Sequence, residues 1–476
     1  MDNPSLWFLI TVSFFSLGVF SVYPMRRMRR SGPLLLLLLS LSFLDTASLA
    51  LSYPPTAAPL FDGYPFANIW NMPTPVCKKN NIPLDTSPFQ AVTTPAKVPD
   101  QFLFLFYSDR LGLYPYVDMA TRELINGGIP QNGNLTMSLI TALSDIAHYI
   151  PSETSPGLAV IDWEKWNPLW DRNLDSEAIY KNLSIAYVHM HKNSLSLAEA
   201  TQEAKIQFQT AARNYMEDTL RLGTMERPRY LWGYYGFPDC YTYDVETAGN
   251  MEECPASVKS QNNELLWLWQ TSTALFPSVY LQSPLSNSHN ATRFVRSRVQ
   301  EALRVAALPQ HPFTAPIYIY SRPVFGNQNK NFLSVEDLVS TIGESAALGS
   351  SGSVLWGASA DFNDKASCQE LSAYLTSTLN PYIANVTATT KLCSVFLCQG
   401  NGRCVRKDYN SDSYLHLNPS SFTIQKSDGK YVAVGVPSLS DLTDLADKFT
   451  CQCYAGQSCS PRLPTQLSKT PMVISV

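Results

Sequence analysis

Two kinds of apolar pattern alternate along this chain. Continuous apolar runs at 66–70, 102–107, 158–162, 230–235, 279–281, 317–320 and 353–356 have the length and character of strands buried on both faces. Between them, apolar residues recur at helical spacing across 137–149, 197–222, 264–274, 293–307, 335–348 and 366–383. Strand followed by helix, repeated from about residue 64 to 383, predicts an α/β fold: a parallel (β/α) barrel of the TIM kind, assigned to 51–388. A doubly wound open sheet is the alternative, but no Gly-rich phosphate loop supports it. In a barrel, chemistry collects at the carboxyl ends of the strands. Tyr107, Asp162, Glu164, Tyr235, Tyr280 and Trp356 all stand at or just beyond such ends.

The run at 158–162 ends abruptly in two carboxylates flanked by tryptophans, Asp162-Trp163-Glu164-Lys165-Trp166. On a strand, residues two apart share a face, so Asp162 and Glu164 point the same way. Mutual repulsion and apolar walls raise at least one of their pKa values, as a carboxyl that donates a proton near neutral pH requires. A bare Asp-x-Glu is more often an acidic strand end at the surface. Tyr235, Tyr280 and Trp356, taken singly, are more often core aromatics.

Composition narrows the class. The 476 residues carry 35 Lys+Arg against 39 Asp+Glu, a formal net charge of −4, with 16% charged and 45% hydrophobic residues. That is a globular body and argues against a nucleic-acid partner. A polyanionic ligand would need a local basic or hydrogen-bonding groove. Lys259, Arg296 and Arg298 could meet ligand carboxylates, but a solvated helix face is the more ordinary reading. Asp239 and Asp244 read as structural.

Ten cysteines and Asn-x-Ser/Thr sequons at Asn134, Asn182, Asn290 and Asn385 point to the secretory pathway, with a secreted or lysosomal destination. Residues 1–50 read as a leader. An apolar core at 34–44 follows Arg26, Arg27, Arg29 and Arg30, with Ser48 and Ala50 before the expected cut. A second hydrophobic segment at 4–24 leaves an alternative, a membrane tether with the arginines held cytoplasmic. The polar residues 450–476 predict no lipid-anchor tail.

After residue 388 the composition changes. Cys393, Cys398, Cys404, Cys451, Cys453 and Cys459 crowd together and allow fifteen pairings. Their spacing resembles an epidermal-growth-factor-like module over 389–462, with an inserted loop between Cys404 and Cys451 and a polar tail at 463–476. The resemblance implies first–third, second–fourth and fifth–sixth pairing: Cys393–Cys404, Cys398–Cys451 and Cys453–Cys459. A zinc site is the minor alternative, disfavoured by only 6 His in the chain. Cys240 and Cys254 are close enough for a local loop, which leaves Cys77 and Cys368 to clasp the first strand region to the last helix.

Five motifs together carry a resemblance. Gly157-Leu-Ala-Val-Ile-Asp-Trp-Glu164, Trp232-Gly-Tyr-Tyr-Gly-Phe-Pro-Asp-Cys240, Ala274-Leu-Phe-Pro-Ser-Val-Tyr280, Gly343-Glu-Ser-Ala-Ala-Leu-Gly349 and Leu415-His-Leu-Asn-Pro419 resemble animal hyaluronidases, nearest the vertebrate somatic enzymes. The resemblance implies a distorted barrel and endo-β-N-acetylhexosaminidase activity on hyaluronan, with chondroitin a further substrate. It implies substrate-assisted retention, an exception to the two-carboxylate scheme. Glu164 would be the general acid and Asp162 the group that orients the substrate acetamide. Tyr235 would bond that acetamide, Tyr280 would touch the sugar nearby, and Tyr107 and Trp356 would line the cleft. No cofactor or metal is implied, and a monomer is expected. The family reads Asp-Trp-Glu-x-Trp-Arg-Pro where this chain has Asn167, so a cation beside the carboxylates is replaced by a neutral amide in the substrate-binding region. A hyaluronan-binding or adhesion protein with little catalysis is the competing expectation.

Overall fold

The computed structural model describes residues 53–241, 253–462 and 472–476; the expected leader and Asp244 lie outside these. Parallel strands build its wall. Gly157–Asp162 pairs with Leu103–Tyr107 on one side and Tyr230–Tyr234 on the other. A second parallel sheet runs in the order Ala91–Thr93, Ala67–Asn71, Gly352–Trp356, Tyr318–Ser321.

Segment 275–278 joins the two sheets, bridging Phe276 to Tyr235, Leu275 to Ile317 and Ser278 to Tyr320. A strand was expected slightly later, at 279–281. The pairing begins earlier and stays broken into single bridges because Pro277 offers its carbonyl to Tyr320 N–H but has no N–H to return.

Alternation along these strands separates two apolar layers. Leu103, Leu105, Leu158 and Val160 pack inward with Ile69, Phe276, Tyr318, Tyr320 and Val354. Phe104, Phe106, Ala159 and Ile161 face the surrounding helices. Each fully buried side chain of this size contributes about 1.5–3 kcal/mol. Continuing the inward parity past Val160 brings Asp162 and then Glu164 to the mouth of the wall.

Helix Leu197–Glu226 begins at a capping box formed by Ser196 and Glu199 and buries Ala200, Ala204, Phe208, Ala212, Met216, Leu220 and Gly223 on one face. Gly223 is required there, since a Cβ would come within 2.6 Å of the Trp232 ring. The expected helix at 264–274 is instead two pieces, Ala256–Glu264 and Leu266–Thr271, broken at Leu265. Helix Ala178–His191 was not anticipated. Its buried positions Tyr180, Ser184 and Val188 are too polar a stripe to stand out in sequence.

Helix Asn380–Cys398 runs across the boundary expected at 388/389, and Leu51–Val476 form one compact unit. Five disulfides are present: Cys77–Cys368, Cys240–Cys254, Cys393–Cys404, Cys398–Cys451 and Cys453–Cys459. The stretch between Cys404 and Cys451 holds a hairpin, Phe422–Ser427 with Lys430–Gly435, and a helix, Leu439–Lys448. Met472–Ser475, within the expected polar tail, adds a third strand to the hairpin.

Arg296 does not lie on a solvated helix face. It is buried, donates to Glu344 at 2.7 Å, and reaches the carbonyls of Asn410 and Ser411. Arg406 meets the same fully buried Glu344 from strand Gly402–Arg406. This charged knot ties helices His289–Ala306 and Glu344–Leu348 to the cysteine-rich segment. Lys259 pairs with Glu253, and Arg298, also mostly buried, with Asp239. Of the sequon asparagines, Asn134 and Asn182 are exposed and Asn290 and Asn385 half-buried. Asn385 accepts the Leu417 N–H at 2.8 Å.

Candidate active site

The site forms where strand Gly157–Asp162 runs out. Trp163 turns to the helix side, stacked on Tyr114 with ring centroids 4.6 Å apart. Trp166 is buried beside it and donates its indole N–H to the Pro115 carbonyl at 2.7 Å. These two anchors fix the turn; Asp162 precedes it, and Glu164 lies within it and lines a cavity. Lys165 points away, with its ammonium 5.8 Å from the Tyr116 ring.

Asp162 and Glu164 are close enough for each to shift the other's affinity for a proton. Burial, then the neighbouring Glu164 charge, pushes the Asp162 pKa well above the usual carboxylate range. Burial also raises Glu164, although its side chain remains open to solvent at the cleft. One Asp162 oxygen, Oδ1, is buried without a hydrogen-bond partner among the described residues. A buried acceptor left unsatisfied is costly, and a donor on a ligand would satisfy it.

Aromatic residues surround the pair. Tyr107 is the register partner of Asp162, and its hydroxyl accepts the Trp356 indole N–H at 3.2 Å. Trp356 stacks on Tyr280, with centroids 5.9 Å apart and planes 17° from parallel. Tyr280 adjoins Tyr235, which donates to Ser278 Oγ at 3.3 Å. Burial followed by the Asp162 charge pushes Tyr107 up to about 12, and burial also raises Tyr235 and Tyr280. All three remain neutral hydroxyl groups at working pH.

Residues that the sequence reading did not single out complete this wall. Tyr320 is buried, packs edge-on to Tyr235 at 5.0 Å, and its hydroxyl lacks a partner among the described residues. The strand expected at 317–320 ends on Tyr320, so the strand-end criterion could have found it. Arg322 lies 5.9 Å from the Tyr280 ring and 5.5 Å from Trp356, and is held by Asp361 through bonds of 2.8 and 2.7 Å.

On the other side of Glu164 a cavity of about 390 Å3 opens, lined also by Asn167, Arg172, Glu177, Tyr235 and Tyr241. Asn167 serves local structure. Its Nδ2 donates to the Tyr241 hydroxyl at 2.7 Å, and its Oδ1 accepts the Leu169 N–H. Among the described residues, no group of three or more His, Cys, Asp or Glu is arranged to hold a metal.

A family model described as hyaluronidase, in glycoside hydrolase family 56, matches residues 55–463. The chain belongs to the hyaluronidase family. It is 46% identical over 425 residues to mouse Hyaluronidase-5, covering 88% of this chain and 80% of that one. Human Hyaluronidase PH-20 is 44% identical over 412 residues, with 85% and 80% covered. Among solved structures, bee venom hyaluronidase is 30% identical with a TM-score of 0.60, covering 67% of this chain and 99% of that one. The same enzyme solved with a hyaluronic acid tetramer matches equally well. As a hyaluronidase-family protein, the chain is a glycoside hydrolase.

Proposed function

We propose that this chain hydrolyses internal β-1,4 bonds of hyaluronan with retention of configuration, using the substrate's own acetamide as nucleophile. The observation that carries this reading is the pairing of two acidic side chains at the strand end, Asp162 and Glu164, both with raised pKa, with Asp162 Oδ1 buried and unpartnered among the described residues. In the resting pair the more deeply buried Asp162 favours the neutral form and Glu164 accepts its proton. As the acetamide oxygen attacks the anomeric carbon, the sugar becomes cationic. An anionic Asp162 then stabilises it and accepts the amide N–H. The proton passes through Glu164 to the glycosidic oxygen, which leaves with the bonding electrons. Water next attacks the anomeric carbon, displaces the acetamide oxygen, and gives its proton to Glu164. Tyr235 would bond the acetamide, while Tyr107, Tyr280 and Trp356 present flat faces to the sugar rings.

Hyaluronan whose acetamides have been removed tests this scheme. It should resist cleavage while the parent polymer is cut. Equal cleavage of both would rule out substrate assistance. Chondroitin, which also carries an N-acetylhexosamine, would be a second substrate.

One observation favours a second reading, a hyaluronan-binding protein of low turnover. Asn167 brings no charge to the carboxylates and is committed to Tyr241. Polymer bound but never shortened, at any pH, would favour it. Five disulfides fit an oxidising compartment, in keeping with secretion or lysosomal routing. No helix among the described residues is long and apolar enough to cross a membrane. The pairing of the last six cysteines supports an epidermal-growth-factor-like module.

A further inference from the structure

The cavity beside Glu164 contains a cation that the scheme above does not use. Arg172 lies in the short 3-10 turn Trp170–Arg172, and its guanidinium carbon sits 3.3 Å from the centre of the Tyr241 ring. Its Nε is buried and has no hydrogen-bond partner among the described residues. Asn167 holds the Tyr241 hydroxyl from the opposite side. The guanidinium is therefore fixed by stacking where Arg172 lines the cavity. That is the condition in which an arginine recognises a carboxylate.

Arg172 is the only cationic side chain among the described residues lining this cavity; the others with charge are Glu164, Asp175, Glu177 and Asp239. Asp239 is neutralised by Arg298, which packs behind it. Asp171, next to Arg172, is paired with Lys205 and Asp175 is exposed. Glu164 adjoins Asp162, and burial raises the pKa of both carboxyls. Glu177 is the remaining competitor, and burial lifts its pKa to about 7 against the opposing pull of Arg172. Below about pH 7 Glu177 takes up a proton, and Arg172 loses that competitor.

We propose that Arg172, stacked on Tyr241, forms a carboxylate-binding subsite that holds a hexuronate of the polymer next to Glu164, with Glu177 as the internal carboxylate that competes for it. The inference rests on the hyaluronan reading and adds a subsite to it. A uronate seated here places the neighbouring glycosidic oxygen against the acid. The subsite selects alternating hexuronate polymers over neutral N-acetylhexosamine chains.

The test uses the full chain carrying Glu164→Gln, so that binding is read without cleavage. Affinity at pH 5 is measured for hyaluronan oligosaccharides and for the same oligosaccharides with carboxylates reduced to alcohols. Adding Arg172→Gln should weaken binding of the native sugar about ten-fold or more, the scale of one lost charge-assisted hydrogen-bond set. It should leave the reduced sugar unaffected, and Arg172→Lys should restore part of the loss. Equal weakening for both sugars, or none for either, would overturn the subsite and leave the hyaluronan reading standing. A Glu164→Gln parent that binds neither sugar would overturn both.

Discussion

Tyr107 and Asp162 are register partners at the carboxyl ends of adjacent parallel strands. The pairing places a neutral phenol beside the more buried of two acidic side chains, and Trp356 completes the link by donating to that phenol. Replacing Tyr107 by Phe keeps the ring but leaves the Trp356 indole N–H without its acceptor. Steady-state kinetics on hyaluronan should show KM raised about three- to ten-fold, the scale of a hydrogen bond worth roughly 1 kcal/mol. An unchanged KM would remove Tyr107 from the cleft.

Asp162 also makes a claim on stability. A carboxyl whose pKa is raised by folding binds its proton more tightly in the native state than in the unfolded chain. Its contribution is fully present below the ordinary carboxylate pKa and is lost as pH rises through the folded value. Asp162→Asn cannot ionise and escapes that loss. Thermal melts should therefore show the variant gaining on the wild type from about pH 4 towards pH 8. A difference that stays flat across this range would contradict the burial of an acidic pair.

Asn167→Arg brings a cation back beside the carboxylates and gives up the Asn167–Tyr241 bond. Hyaluronan turnover should rise, while stability falls by about 1 kcal/mol. Turnover unchanged or lower at every pH would mean that the neutral amide is no handicap.

Glu344 is fully buried where it meets Arg296 and Arg406. Glu344→Ala leaves both guanidinium groups buried beside an empty site, so chemical denaturation should show a loss of about 3–5 kcal/mol. A loss below about 1 kcal/mol would show that the knot does not hold the cysteine-rich segment to helices His289–Ala306 and Glu344–Leu348.

Much of this architecture was legible in the chain because buried parallel strands read as continuous apolar runs. Leu158 to Ile161 could be recognised for that reason, and the parity of Asp162 and Glu164 followed directly. Segment 275–278 was misplaced because Pro277 interrupts the ladder without ending it. Helix Ala178–His191 was missed because its buried stripe includes Ser184. Arg296 was misread because a charged residue on an amphipathic helix ordinarily faces solvent, and its partners Glu344 and Arg406 are distant in sequence. Arg172 had no local signature at all. Its stack on Tyr241 exists only after the chain has folded back.

The most direct measurement follows reducing-end release from hyaluronan by the Glu164→Gln variant, alongside binding of the same polymer. The account predicts a fall in cleavage of about a hundred- to ten-thousand-fold, the usual worth of a general acid, with binding largely kept. A variant that shortens hyaluronan at the wild-type rate would contradict it.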